Sequence, residues 1–285
     1  MTAKDITKEK IKEKERKKLE EAVKLESIKN EFFANISHEF KTPINIILGN
    51  MQLLSKNIEY NKIKYNKETN LVKYVESIKQ NSYRLLRLVN NLIDMTRIDT
   101  GFYNINLGNY DIVKVIEDIT MSVTEYTEGK GIELIFDTNI EELLIACDPD
   151  KIERIMLNLL SNAIKYSSVG GKIFVDLKSL NNKVAISVKD SGIGISKVKQ
   201  EVIFERFGQA NNSLIDRCKG SGIGLSLVKS LVELHEGKIY VKSKEKIGSI
   251  FTFELPNRLI ENKYFSSNTE SKIEKCDIEF SEIYS

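Results

Sequence analysis

The sequence predicts an antiparallel helical hairpin followed by an α/β sandwich, and three observations carry that reading. Apolar residues recur at helical steps of three and four in two segments: Ile36, Phe40, Ile44, Ile47, Met51 and Leu54, then Leu71, Val75, Ile78, Leu85, Val89 and Leu92, with Ser82 in the same series. From about Tyr110 the pattern changes to helices alternating with strand-like runs. Within that second part, "KIFVDLKSL" and "KVAISVKD" flank Asn181-Asn182, the signal of a β-hairpin.

Residues 1–27 include "DITKEKIKEKERKKLEEAVKL", interspersed opposite charges around a thin apolar seam of Leu19, Ala22 and Val23. That pattern predicts a solvated helix or coiled coil running into the next element. Residues 28–101 form the hairpin. In "FANISHEFKTPINIILG", His38 lies two residues from both Ile36 and Phe40, about 200° around the helix from the apolar face. It is therefore expected to face solvent, with Thr42 and Asn45 on the same stripe. Pro43 removes the N–H that would bond the Glu39 carbonyl, which predicts a bend just beyond the histidine. "SKNIEYNKIKYNKETN" breaks the helix, and the second helix places its apolar residues at heptad a and d positions. One hairpin cannot fully bury that seam. Two hairpins paired as a four-helix bundle can, so a homodimer is expected.

Residues 110–256 form the second domain. A helix is predicted from Asp111, with strands at Ile132–Thr138 and Leu143–Cys147. Asp148-Pro149 then reads as an N-cap with proline at the first helical position of a helix reaching Tyr166. After the hairpin and an irregular stretch come a helix from Gly222 to Glu236, closed by Gly237, and strands at Lys238–Ser243 and Ser249–Leu255. The tail, residues 257–285, is polar and expected to be flexible; weak alternation in "CDIEFSEIY" leaves a docking strand as the lesser alternative.

Composition narrows the function. A 285-residue chain with 41% hydrophobic and 29% charged residues has room for two soluble domains. Net charge +2 and a pI near 8.2 argue against a nucleic-acid binder relying on a basic field. No apolar run reaches eighteen residues, and the lysine- and glutamate-rich start has no secretory signature. Cysteines 147, 218 and 276 are scattered, which fits reduced thiols in the cytoplasm.

Four segments of the second domain carry chemistry. In "NLLSNAIKYS", Asn158 and Asn162 share one helix face beside Lys165, while Ile155, Met156, Leu159 and Ala163 face the core. Amide oxygens suit Mg²⁺ and lysine suits phosphate. "DSGIGIS" ends a strand at Asp190 and turns through Gly192 and Gly194, where an acid can accept from a base amine and the backbone can approach a ring. "GSGIGLSLVKSL" sets Gly220, Gly222 and Gly224 before a helix, where free N–H groups favour phosphate. Phe204 and Phe207 in "IFERFGQANNSLIDRCKG" precede a polar run and suit a hinged lid. Alone, each is matched by a plainer reading: exposed asparagines, a simple turn, ordinary loop packing. Their order and spacing are far more specific.

Together they resemble the catalytic core of a two-component sensor histidine kinase. "SHEFKTP" resembles the H box, "NLLSNAIKYS" the N box, "DSGIGIS" the G1 box, "IFERF" the F box and "GSGIGLSL" the G2 box, covering about residues 28–256. The resemblance implies an ATP-binding domain of the GHKL (Bergerat) type behind a dimerisation and phosphotransfer hairpin, using ATP and Mg²⁺. It implies that His38 attacks the γ-phosphate, that Glu39 takes or steers its proton, and that Thr42 orients water for dephosphorylating the partner. Asn162 would be the principal Mg²⁺ ligand, Asn158 would support the phosphates or their water shell, Lys165 would contact phosphate and Tyr166 would lie along the nucleotide. Asp190 would accept from the adenine amino group. Gly192, Gly194, Gly220, Gly222, Gly224 and Leu225 would shape pocket and lid, with Phe204 and Phe207 as its anchors. The implied partner is the receiver domain of a response regulator. "AKDITKEK" resembles the end of a PAS domain, so an upstream sensor domain or a separate sensor protein is expected, and a membrane-tethered longer form stays open.

Rivals fail on particular residues. His38-Glu39 starts like a zinc-protease motif, but position 42 is threonine and the chain has two histidines. The second, His235, is read as a helix-end residue complementing the dipole. No P-loop motif and no protein-kinase signature occurs. Other ATPases of the superfamily lack an H box on a heptad hairpin. A nucleotide-binding scaffold and a phosphatase-dominant regulator are the alternatives that the residues leave standing.

Overall fold

The computed structural model describes residues 13, 16, 20, 26, 36–37, 39–54, 68–205, 223–261 and 272–281. His38, Phe207, Gly220 and Gly222, together with Cys218, lie outside the described residues. In the charged N-terminal segment, Arg16 and Glu20 form an exposed ion pair one helical turn apart at 3.5 Å, a contact contributing only a few tenths of a kcal/mol.

Helix α1 (39–54) continues through Pro43 and runs antiparallel to α2 (Glu68–Asp99). Asn50 Nδ2 donates to Ser77 Oγ at 2.9 Å near one end, and Ile36 and Phe40 meet Leu92 and Met95 near the other. The heptad seam stays open in the single chain: Leu71, Val75 and Val89 on α2, like Ile44 and Met51 on α1, are exposed. A different stripe of α2 is buried, made of Asn81, Leu88, Asn91 and Met95.

The second domain begins with β1 (Gly108–Asp111), α3 (Ile112–Ser122), α4 (Thr124–Glu128), β2 (Glu133–Thr138) and β3 (Leu144–Cys147). It continues through α5 (Pro149–Tyr166), β4 (Lys172–Leu180), β5 (Lys183–Asp190), α6 (Lys197–Val202), α7 (Gly224–Leu234), β6 (Lys238–Lys244) and β7 (Gly248–Pro256). Both long-range helix starts are set by aspartate caps. Asp111 accepts from Val113 N at 3.1 Å and Leu143 N at 3.0 Å. Asp148 accepts from Asp150 N at 3.1 Å, with Pro149 in the first turn. Caps of this kind each contribute about 1 kcal/mol.

The main sheet has strand order β2-β4-β5-β7-β6, parallel only between β2 and β4; β1 and β3 form a separate antiparallel pair. Alternation on the central strands sends Ile173, Val175, Leu177, Val184, Ile186, Val188, Phe253 and Leu255 into one core with α3, α5 and α7. Edge strand β6 carries Lys238, Lys242 and Lys244, charges that discourage pairing with another sheet.

Three expectations are corrected. Among its described residues the tail forms a helix, α8 (Lys272–Glu279), rather than a flexible run or a docking strand. Cys276 and Phe280, one turn apart, are both buried, and that helical pair is why alternation was weak there. The left-handed residue closing α7 is Glu236 (φ 59°), not Gly237. Gly237 is needed instead because a Cβ there would collide with the Glu254 carbonyl. Finally, α6 occupies part of the stretch expected to be irregular.

His235 also differs from expectation. It is buried, with Nδ1 hydrogen-bonded to the Leu231 carbonyl at 2.8 Å, and its Nε2 accepts from Asp148 N at 3.1 Å. An accepting Nε2 requires a neutral ring protonated at Nδ1. Burial pushes its pKa below the ordinary value, against the opposing pull of the Leu231 carbonyl. The ring is therefore a neutral tie between the end of α7 and the cap of α5, not a cation at a helix end. Cys147 and Cys276 are free and buried, and burial pushes the Cys147 thiol up to about 12.

A ring whose folded pKa lies below its unfolded value of ~6.5 contributes fully above that pH and loses its contribution as pH falls towards the folded pKa. Thermal unfolding is expected to show a falling Tm between pH 7.5 and 5. His235→Gln should cost about 1–3 kcal/mol at pH 7.5 and flatten that decline; an unchanged slope would show that another group controls it.

Candidate active site

Helix α5 has two faces because its sequence has two. Ile152, Ile155, Met156, Leu159 and Ala163 enter the core, while Asn158 and Asn162 sit one turn apart on the side facing α7. Asn158 is 2% exposed. Asn162 is half-buried, and its Nδ2 donates to Asn158 Oδ1 at 3.3 Å. That bond leaves the Asn162 Oδ1 lone pairs for a hard cation.

Gly224, the first residue of α7, lies against Asn158. A Cβ there would stand 2.8 Å from Nδ2 and 3.0 Å from Oδ1, so only glycine lets the helix start rest on the amide. The first turn of that helix is thus brought to the Asn158–Asn162 face, an arrangement suited to phosphate. Leu225 is half-buried against the core beside it.

Asp190 ends β5, paired with Ser249 at the start of β7. Its Oδ1 accepts from Gly192 N at 2.8 Å and Ser249 N at 3.3 Å. Burial raises its pKa above the ordinary carboxylate value, while those two bonds pull it back. Oδ2 retains capacity for an external donor. A Cβ on Gly192 would lie 2.5 Å from the Tyr166 carbonyl, so the end of α5 and the turn after β5 are in direct contact. Gly194 has φ +70°, and a side chain there would strike the Lys244 carbonyl.

The remaining predicted residues fall around this cluster. Lys165 Nζ stands 5.5 Å from the Tyr166 ring centroid. Phe204 packs edge-to-face on Phe251 with centroids 6.2 Å apart. Glu39 and Thr42 are half-buried on α1. Three contributors escaped sequence reasoning. Ser249 and Gly248 (φ +132°) brace Asp190 from the neighbouring strand. Lys130 Nζ caps the end of α5 by donating to the Ile164 carbonyl at 2.7 Å, with burial pushing its pKa down. The glycine before a strand was a visible signal; nothing local marks Lys130.

A buried carboxylate, paired amides and a helix N-terminus have the chemistry to fit a nucleotide. Among the described residues, no group of three or more His, Cys, Asp or Glu could hold a metal. A Mg²⁺ on Asn162 would therefore take its other ligands from phosphate and water, as that ion commonly does.

Sheet, helices and cleft together define an ATPase domain carried behind a helical hairpin. Residues 147–259 match the family of histidine kinase-, DNA gyrase B- and HSP90-like ATPases, and residues 28–101 match the His kinase A phospho-acceptor domain. The chain belongs to the two-component sensor histidine kinases. It is 34% identical over 257 residues to histidine kinase P4 of Formosa agariphila, covering 85% of this chain and 18% of that protein. It is 33% identical over 246 residues to the autoinducer 2 sensor kinase/phosphatase LuxQ of Vibrio cholerae, covering 85% of this chain and 28% of that protein. The solved complex of histidine kinase ThkA with response regulator protein TrrA aligns with a TM-score of 0.58 at 26% identity, over 86% of this chain and 66% of that one. This chain thus spans under a third of the length of either curated relative.

Gly194→Ala combines a left-handed backbone with a backbone collision. It should destabilise the protein by about 2–4 kcal/mol in urea unfolding. Gly170→Ala, also left-handed (φ +79°) but with open space around it, should cost only about 1 kcal/mol. Equal losses would mean that the Lys244 contact carries no weight.

Proposed function

We propose that this chain is a kinase core that transfers the γ-phosphoryl group of Mg-ATP to His38 and passes it to an aspartate of a response-regulator receiver domain. The observation that carries the reading is the meeting of Asn158, Gly224 and Asp190's turn around one cleft, on a chain that also has a phospho-acceptor domain. Asp190 accepts from the adenine amino group, and Gly192 and Gly194 let backbone approach the ring. Asn162 binds Mg²⁺, and Asn158 supports the phosphates or their water shell. Lys165 meets phosphate and Tyr166 lies along the nucleotide. Gly220, Gly222, Gly224 and Leu225 shape the lid end of the pocket, and Phe204 and Phe207 anchor the lid.

Phosphoryl transfer needs positioning and charge neutralisation more than covalent help. An imidazole nitrogen of His38 forms the P–N bond as the β–γ bridging bond breaks and ADP leaves. The ring proton passes to Glu39. An imidazole with a pKa near ~6.5 is largely neutral, hence nucleophilic, at neutral pH. Thr42 orients water when the same hairpin dephosphorylates the regulator, an activity named in the kinase/phosphatase LuxQ; a regulator is likewise the named partner of ThkA. The exposed apolar residues Leu71, Val75, Val89, Ile44 and Met51 are those a second hairpin would cover, so the working unit is a homodimer. Its input comes from an upstream sensor domain or protein, and it acts in the cytoplasm.

Incubation with γ-labelled ATP and Mg²⁺ should give base-stable, acid-labile label that His38→Gln abolishes. Label persisting in that variant would identify a different nucleophile. Asp190→Asn should weaken nucleotide binding roughly 10- to 100-fold, the range for a lost hydrogen bond to a charged group. Wild-type affinity should decline as pH falls through the raised Asp190 pKa, because the protonated acid accepts poorly. Fluorescent-nucleotide titration reads both effects, and a flat pH profile for Asp190 would remove it from base recognition.

A further inference from the structure

We propose that α8 is an intramolecular clasp holding the ATP-binding domain on the hairpin and restraining phosphoryl transfer to His38; the restraint rests on the kinase reading above. This eight-residue helix contacts α2, α3 and α5. Towards the hairpin, Glu279 Oε2 pairs with Arg87 Nε at 2.9 Å, with the two side chains 7% and 12% exposed. Arg87 also donates through its Nη1 to the Glu279 carbonyl at 3.0 Å. Towards the ATP-binding domain, Tyr126 donates to Asp277 Oδ1 at 2.6 Å and stacks on Phe280 with centroids 4.6 Å apart. Cys276 and Phe280 join the core of that domain, and Lys275 bridges Asp150 and Glu153 of α5 at 3.0 and 2.7 Å.

One short helix is therefore bonded to both bodies. Undocking it would break the Arg87–Glu279 contacts and expose the buried Cys276 and Phe280 to water, so docking is favoured in the resting chain. Catalysis asks for the opposite. His38 must be reached first by ATP and then by a second protein, so the ATP-binding domain must change position on the hairpin between the two events. A tie between the bodies opposes that change. A single eight-residue helix can release by local opening.

Charge reversal tests this in the full chain. Arg87→Glu and Glu279→Arg singly, and the two combined, are compared for hydrogen exchange of the peptide spanning residues 272–281 and for rate of His38 labelling at saturating ATP. Each single reversal should raise both quantities about fivefold or more, the lower end of typical coupling between sites. The combined reversal should return both towards wild type. Faster exchange with an unchanged or slower labelling rate, and intact nucleotide binding, would overturn the restraint. Unchanged exchange would overturn the clasp. Absence of label in every variant, with exchange still responding to the reversals, would sink the kinase reading and the restraint with it, leaving the docking contact standing.

Discussion

The contact between Gly224 and the Asn158 amide is the constraint on which the rest of the cleft depends. A side-chain amide 2% exposed to solvent is costly unless its polar atoms are matched. Here Asn162 supplies one partner, and the start of α7 closes over the amide because no Cβ stands in the way. Some ten residues further along each helix, His235 joins the end of α7 to the cap of α5. Helix α7 is thus fastened at both of its ends, antiparallel, along the first half of α5, by one absent side chain and one neutral ring. Fixing that pair fixes where the amides stand relative to Asp190, since the Tyr166 end of α5 abuts Gly192.

The junction between hairpin and ATP-binding domain is built differently. Its fastenings are mostly charged or polar: Arg87 with Glu279, and Arg154 with Asp94 at 2.9 Å and with Asn91 at 2.8 Å. Among the described residues its apolar contacts are few, a cluster of Ile36, Met95 and Ile223 flanked by Phe40 and Leu92, with Ile98 of α2 packed on the domain core. Polar junctions of this kind resemble transient interfaces between proteins rather than a continuous core. The interior of the domain, by contrast, is a continuous apolar core.

Much of this architecture was legible in the sequence because it depends on local patterns. Periodicity gave the two hairpin helices and the central strands; the Asp-Pro pair gave the start of α5; Gly192, Gly194 and Gly224 marked places where backbone approaches other groups closely. What escaped was settled by distant partners. His235 looked like a helix-end cation because only the fold brings Asp148 N–H to its ring. Lys130 and Ser249 act on α5 and Asp190 through contacts far apart in the chain. The α8 segment was too short and too polar to announce a helix, and its burial depends on Tyr126 and Arg87, both more than a hundred residues away.

Helix α2 carries two stripes. Leu85, Val89 and Leu92 belong to the heptad seam, while Asn91 and Met95 face the ATP-binding domain. Neighbouring positions on a helix are separated by about 100°, so the stripes lie roughly a quarter-turn apart. The helix is therefore a torsion bar with a load on each side. A twist about its long axis cannot be absorbed by one set of contacts alone, and screwing it towards the seam unscrews it from the domain by the same angle.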